Sequence, residues 1–227
     1  MGSESPGRVS TAQIASVAPP RFRGVSHLLG LAVASPVGVA LGLHARSGSA
    51  RLGAIVFAAS VVAMFGASSL FHRVAWQASR KRWICLLDHS MIYALIAGTY
   101  TPFALIVLRP DWRAPVLLVV WGAALGGAIA KFRWPAAPAW VTAATCVALG
   151  WVSVIVFPQI VGRIGYGGAS LLVAGGLAYT VGAAIYARRR PDPFPRTFGY
   201  HEIFHSLVIV AVICQYATIA FFVLPRA

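Results

Sequence analysis

The sequence predicts an all-α integral membrane protein, built as a bundle of seven transmembrane helices. Three observations predict this fold class: hydrophobic residues make up 59% of the 227 residues, charged residues make up 11%, and the mean hydropathy is +0.76. A surface that faces a bilayer cannot carry the usual coat of charges, so this composition is typical of membrane proteins. Carboxylates are the scarcest charged group, and the chain has five of them: Glu4, Asp88, Asp111, Asp192 and Glu202.

Seven stretches are apolar enough to cross the hydrocarbon core, which takes about 20 mostly apolar residues. They cover residues 26–43, 52–72, 84–108, 114–130, 139–157, 165–187 and 201–224. The connections between them are short, which predicts a single membrane domain over residues 21–227, preceded by a flexible polar tail at residues 1–20. The tail lacks the apolar region of a signal peptide, so no cleaved signal is expected.

The basic residues predict the orientation, because Lys and Arg are enriched in cytoplasmic loops. Thirteen of the 19 lie in the N-terminal tail and in the loops after the second, fourth and sixth spans. This distribution predicts a cytoplasmic N-terminus and an outside C-terminus, and the expected location is the cell (plasma) membrane. The net charge of +14 is divided among small clusters between apolar runs, a pattern that does not indicate nucleic-acid binding. The three cysteines are far apart and indicate neither a disulfide framework nor a cysteine zinc site.

Five polar residues from three predicted spans fall at one depth, at the cytoplasmic end of the bundle. The second span ends with "SSLFH", where Ser68 and His72 lie four residues apart on one helix face. The third begins with "CLLDHS", which places Asp88 about one turn inside, and the seventh begins with His201 and His205, again four apart. Intramembrane ionisable residues are costly and indicate a functional site. The alternative is that each side chain caps a helix or forms an interhelical hydrogen bond.

These residue types suit zinc. Neutral imidazoles bind zinc well, and a catalytic zinc site takes three protein ligands and leaves one position for water. His72, His201 and His205 can supply the three ligands. Asp88 and Ser68 then suit the surrounding shell, where they would hold or deprotonate the water and donate a hydrogen bond to a developing oxyanion.

The remaining histidines are weaker candidates. His44 falls on the opposite side of the membrane in the predicted topology. His27, in "RFRGVSH" at the cytoplasmic start of the first span, is a possible substitute ligand, although this segment is also typical of an ordinary interfacial stretch. His89 points about 100° around the helix from Asp88.

The stretch "HEIFH" at residues 201–205 matches the zinc metalloprotease pattern, in which the glutamate is the general base. No His, Asp or Glu follows His205, so a third ligand must come from upstream, and the leading candidates are His72 and Asp88. Glu202 also has a simpler explanation, because a carboxylate in the first turn of a helix is favoured by the helix dipole. The sequence is compatible with both roles for Glu202.

Three motifs carry a resemblance to a known family: "SSLFHR", "LDHSMIYALIAGTYTPF" and "FGYHEIFHSLVIV", in that order across the predicted spans. Together they resemble the haemolysin III branch of the progestin and adipoQ receptor (PAQR) family, which is related to the alkaline ceramidases. The resemblance implies a zinc site near the cytoplasmic face, with His72, His201 and His205 as ligands and with Ser68 and Asp88 contacting the zinc-bound water. Many relatives begin the first span with a Glu and an Asn ahead of a His. Here "RFRGVSHLL" has neither, so the resemblance assigns no role to His27.

The function expected from these residues and this resemblance is hydrolysis of an amide or ester bond of a membrane lipid, in membrane lipid homeostasis. Zinc would be the Lewis acid and Asp88 the general base. A non-enzymatic receptor or sensor of the membrane state, with structural zinc, is the alternative. A haemolysin-type cytolytic protein is the weakest interpretation. A proton or ion transporter is also possible, but the polar residues gather at one end and do not trace a path through the bundle.

Overall fold

A computed structural model describes residues 20–227, and all of its long elements are helices. In chain order they are α1 (Val25–His44), α2 (Gly48–Arg73), α3 (Ala78–Pro102), α4 (Pro110–Arg133), α5 (Ala139–Trp151), α6 (Ser153–Arg188) and α7 (Tyr200–Thr218). Wider helical turns at Phe103–Val107 and Ile219–Val223 extend α3 and α7. The predicted tail at residues 1–20 lies outside the described residues, apart from Pro20.

Within the described residues, six helical segments are long and apolar enough to cross a membrane. They are Val25–His44, Gly48–Arg73, Ala78–Val107, Pro110–Arg133, Ala139–Arg188 and Tyr200–Arg226. The prediction of an integral, multi-span helical bundle is confirmed. The count differs from the predicted seven because Ala139–Arg188, with 50 residues, is a single segment here and covers both the fifth and the sixth predicted spans.

This 50-residue segment reverses direction at Gly165. The backbone there has φ 72° and ψ 174°, a non-helical conformation that glycine adopts readily because it has no Cβ. The Trp151 indole donates a hydrogen bond to the Thr180 hydroxyl at 3.0 Å, although the two residues are 29 positions apart. In one straight helix they would be about 43 Å apart. Residues before and after Gly165 therefore lie side by side.

Small residues bring α2 and α3 close together, which sets the position of the polar residues they carry. A Cβ on Gly98 would lie 2.6 Å from the Cβ of Ser60, and a Cβ on Gly53 would lie 2.8 Å from the Cα of Pro102. Such contacts are typical of helix pairs in membranes, where close backbone approach replaces the hydrophobic driving force. Large apolar side chains are instead exposed on the outside of the bundle, for example Leu43, Leu118 and Ile155, as a lipid-facing surface requires.

A candidate metal centre

Three helices bring the predicted site residues to one end of the bundle. Ser68 and His72 lie in the last turns of α2, and His201 and His205 lie in the first turns of α7. Asp88 lies ten residues inside α3, because this helix begins at Ala78, six residues before the predicted apolar span. The additional turns of α3 carry basic residues and extend beyond the apolar part of the helix.

The three histidines are close enough to share an ion. One ligand atom from each of His72, His201 and His205 lies within 4.8 Å of the others. Nε2 of His72 and Nε2 of His201 are 3.2 Å apart. Two nitrogens that bind one tetrahedral zinc at about 2.0–2.1 Å are about 3.3 Å apart, so this spacing suits co-ligation. Nδ1 of His205 is buried and has no hydrogen-bond partner among residues 20–227. The donor set therefore fits a metal ion.

Asp88 lies beside this cluster. Its Oδ2 is 4.0 Å from Nε2 of His72, and its side chain is 14% exposed. This distance is too long for a direct hydrogen bond, and a water can bridge two polar groups at such a separation. Asp88 is thus placed to interact with a molecule at the cluster.

Ser68 is 1% exposed, and its hydroxyl lies 2.8 Å from Nδ1 of His27, which comes from α1. The imidazole of His27 also stacks on that of His205, with ring centroids 3.8 Å apart and an interplanar angle of 8°. The structure thus brings a fourth helix to the centre. The sequence indicated His27 only as a weak candidate ligand. Its role stayed open because the segment before it lacks the Glu and Asn that precede this histidine in many relatives.

The start of α1 is held against α2 and α7 by local backbone features. Gly24 precedes the helix with φ 76°, and a Cβ at this position would lie 2.5 Å from the Cβ of His72. The backbone N–H groups of Arg21 and Phe22 donate to the carbonyl oxygens of Arg196 and Thr197 at 3.2 and 3.3 Å. These contacts place His27 next to the first turns of α7.

The other two histidines have partners elsewhere. Nδ1 of His89 lies 2.8 Å from the carbonyl oxygen of Cys85, and its Nε2 lies 3.2 Å from the hydroxyl of Tyr186. His44 is exposed at the far end of α1, with Nδ1 2.7 Å from the carbonyl oxygen of Ala40. Neither belongs to the three-histidine group.

Glu202 has both carboxylate oxygens engaged in contacts that hold the helix start. Oε1 accepts from Nε of Arg23, and Oε2 accepts from the backbone N–H of Gly199 at 2.8 Å, while the side chain is 2% exposed. A carboxylate that caps the first turn of α7 in this way also interacts favourably with the helix dipole. The geometry therefore favours the structural explanation of Glu202 over the general base of a metalloprotease.

A cavity of about 250 Å³ joins the polar cluster to the apolar interior. Its polar end includes Asp88, His201 and His205, and its lining reaches Gln215, which is 14 residues beyond His201 on α7. That interval corresponds to about 21 Å along the helix axis, in a hydrocarbon core of about 30 Å. The remaining wall is mostly apolar and comes mainly from α3, α5, α6 and α7, with Leu95, Phe103, Val147, Phe157, Ile160 and Val208 among its residues.

Comparison with known proteins identifies relatives along most of the chain. The sequence profile of the family described as "Haemolysin-III related" matches residues 16–216, a range that contains every residue of the cluster. The chain is 31% identical to "Hemolysin-3" of Bacillus cereus over 206 residues, 89% of this chain and 91% of that protein. It is 30% identical to "Hemolysin-3 homolog" of Bacillus subtilis (strain 168), over 87% of this chain and 91% of that protein. The human "Monocyte to macrophage differentiation factor" is 27% identical over 83% of this chain and 78% of that protein.

Proposed function

The chain belongs to the haemolysin III-related family, and on that premise we propose that it is a zinc-dependent hydrolase of an amide or ester bond in a membrane lipid. One observation carries the proposal: the three-histidine cluster lies at the polar end of a long apolar cavity, where His201, His205 and the neighbouring Asp88 line the wall. A lipid whose scissile bond lies just below its headgroup fits this arrangement, since the bond would lie at the cluster and the acyl chain in the cavity.

His72, His201 and His205 would hold the zinc. Three imidazole ligands with a fourth position open to water are typical of catalytic zinc, whereas structural zinc sites are closed by four protein ligands. When bound, zinc would act as a Lewis acid and would lower the pKa of water, so that the water can lose a proton and attack near neutral pH.

The chain's own residues then have distinct tasks. Asp88 accepts the proton that the attacking water loses and delivers it to the departing amine or alcohol. Ser68 donates a hydrogen bond to the carbonyl oxygen as negative charge develops there. The apolar wall binds the acyl chain and keeps bulk water from the reacting carbonyl, which strengthens both interactions.

The proposed topology has seven spans within one membrane domain of the plasma membrane, with the cluster in the cytoplasmic leaflet. The reversal at Gly165 and the contact between Trp151 and Thr180 support two antiparallel spans within Ala139–Arg188. The distribution of Lys and Arg supports a cytoplasmic N-terminus. Seven spans place the two termini on opposite sides, whereas six would place them on the same side. Reporter fusions at both ends test this topology, and a cytoplasmic C-terminus would contradict it.

A non-enzymatic receptor or sensor is the second candidate, because the cluster joins α2 to α7 and a metal there would stabilise the bundle without any reaction. A fourth protein ligand would favour this candidate. Cytolysis, to which the names of the Bacillus relatives refer, comes third, and nothing among the described residues favours it for this chain.

The direct test of hydrolysis uses purified protein in nanodiscs made from the lipids of a host membrane. Mass spectrometry would follow the release of free fatty acid by zinc-loaded wild type and by His205→Ala, with His44→Ala as the matched control at the other end of the bundle. Release by wild type and His44→Ala but not by His205→Ala supports the hydrolase. Zinc-loaded wild type that leaves every lipid class intact contradicts it.

A further inference from the structure

His27 makes two contacts within the candidate centre that no motif predicts. It is 2% exposed, its Nδ1 lies 2.8 Å from the Ser68 hydroxyl, and its ring lies flat on that of His205 at 3.8 Å. Its Nε2 is buried and has no hydrogen-bond partner in the described part of the chain. Burying a polar nitrogen without a hydrogen-bond partner costs free energy. The buried position of this imidazole therefore indicates a specific role.

The stacking geometry argues against His27 as a fourth ligand. An imidazole binds a metal through a lone pair that lies in the plane of its ring. The planes of His27 and His205 are within 8° of parallel, so lone pairs in the two planes run side by side and do not converge on one ion. In addition, Nδ1 of His27 already forms a hydrogen bond with the hydroxyl of Ser68. If His205 is a ligand, its stacked neighbour belongs to the surrounding shell.

The unpartnered Nε2 favours the tautomer that carries the ring hydrogen on Nδ1. Orphaned buried N–H groups are rare, whereas acceptors without a full set of partners are less costly. The tautomer that carries its hydrogen on Nδ1 leaves only a lone pair on Nε2 and donates to the oxygen of Ser68. The hydroxyl hydrogen of Ser68 is then free to point at another acceptor.

We propose that His27 is a positioning residue of the metal centre, with two separable actions. Its ring fixes the orientation of the His205 imidazole by stacking, and its Nδ1–H holds the Ser68 oxygen so that the Ser68 hydroxyl donates into the site. This inference rests on the metal site proposed above. It gives α1 a part in a centre whose ligands come from α2 and α7.

Two substitutions separate these actions. His27→Phe keeps an aromatic ring for stacking and removes the donor, whereas His27→Asn removes the ring and keeps an N–H near the position of Nδ1. The same two changes at the exposed His44 provide matched controls. Zinc affinity would be measured by competition with a chelator. The visible spectrum of the cobalt-substituted protein would report the ligand set, and the melting temperature (Tm) in detergent would report folding.

His27→Asn is expected to weaken zinc binding by about 10- to 100-fold, the usual effect of losing an outer-shell partner. His27→Phe should retain zinc affinity within about threefold and keep the wild-type cobalt spectrum, because all three ligands and the stack remain. The Tm losses of His27→Phe and Ser68→Ala should not add in the double variant, since both changes remove one hydrogen bond. The His44 variants should match wild type.

Each other outcome overturns a stated part of the inference. Loss of zinc and a changed cobalt spectrum in His27→Phe would make His27 a ligand. Wild-type zinc affinity in His27→Asn would show that stacking on His205 does not support zinc binding. Additive Tm losses in the His27→Phe and Ser68→Ala double variant would show that the two side chains do not share a stabilising hydrogen bond. A wild-type protein that binds no zinc would contradict this inference and the proposed function together, whereas zinc-binding wild type with unaffected His27 variants would contradict this inference alone. If one of the two His27 variants fails to fold, the other still tests its own action: His27→Asn tests the stacking, and His27→Phe tests the hydrogen bond to Ser68.

Discussion

At the end of the bundle where α7 begins, Arg23 and Glu202 pair across 179 residues of sequence, with side chains 21% and 2% exposed. At the opposite end, Arg109 and Asp111 pair across two residues, with side chains 66% and 63% exposed. The histidines follow the same division, since His27 and His205 are buried in contact with each other whereas His44 is exposed. The ion pair and the histidines at the first end connect different helices and are largely buried, whereas the ion pair and His44 at the second end are local and exposed. This difference distinguishes a built site from ordinary loop charge.

The largest expected effect on activity comes from Asp88. In Asp88→Asn the general base is lost while the three histidines remain, so hydrolysis should fall by about 10²- to 10⁴-fold with zinc content unchanged. The matched control is Asp111→Asn at the opposite end, which should keep wild-type activity. Fatty-acid release and zinc content would be measured on the same samples. If Glu202→Gln abolished hydrolysis and Asp88→Asn spared it, the metalloprotease-like assignment of the base would replace this one.

A smaller effect is expected from filling the cavity. Gly176 lines it and has open space where a Cβ would lie, so Gly176→Leu should obstruct the acyl chain. A misfit of about 1–3 kcal/mol corresponds to a loss of affinity of roughly 5- to 160-fold. Gly126→Leu is the matched control, because Gly126 also has open space but is exposed on the outside of α4. Binding of a fluorescent fatty acid would decide between them, and equal affinities would exclude the cavity as the chain-binding site.

The smallest effect concerns the two ion pairs. Arg23→Ala leaves the buried Glu202 carboxylate without its partner, so the free energy of unfolding should fall by about 1–3 kcal/mol. Arg109→Ala removes a partner from an exposed pair and should cost about 0–1 kcal/mol. Unfolding in mixed micelles with a denaturing detergent would measure both. Equal costs at the two ends would remove the contrast between them.

Much of the candidate site could be predicted from the sequence, for a physical reason. In a membrane the scarcity of charge makes each polar residue informative, and the alternation of spans assigns it a depth. Residues four apart on a helix share a face, so His201 and His205 had to point the same way. The closeness of His72 to this pair is confirmed by the 4.8 Å grouping, whereas their role as ligands stays a prediction.

Other features depend on information that hydropathy does not contain. Apolarity marks the part of a helix that lies in lipid, whereas hydrogen bonding sets the helix itself, so α3 begins at Ala78 and not at residue 84. Depth also gives no angular position around the bundle. The stacking of His27 on His205 and the pairing of Arg23 with Glu202 result from the way α1 packs against α7, across more than 170 residues of sequence.

Metal analysis of purified protein tests whether histidines from α2 and α7 form one metal centre at the polar end of the cavity, as proposed above. Zinc per chain would be measured for wild type, His72→Ala and the control His44→Ala. About one zinc per chain is expected in wild type and His44→Ala. In His72→Ala less than about a tenth of a zinc per chain is expected, because the two histidines that remain do not retain the ion. His72 lies 129 residues before His201 in sequence, so its replacement should empty the site only if the two histidines share the metal. A zinc content in His72→Ala equal to that of wild type would contradict the three-histidine centre.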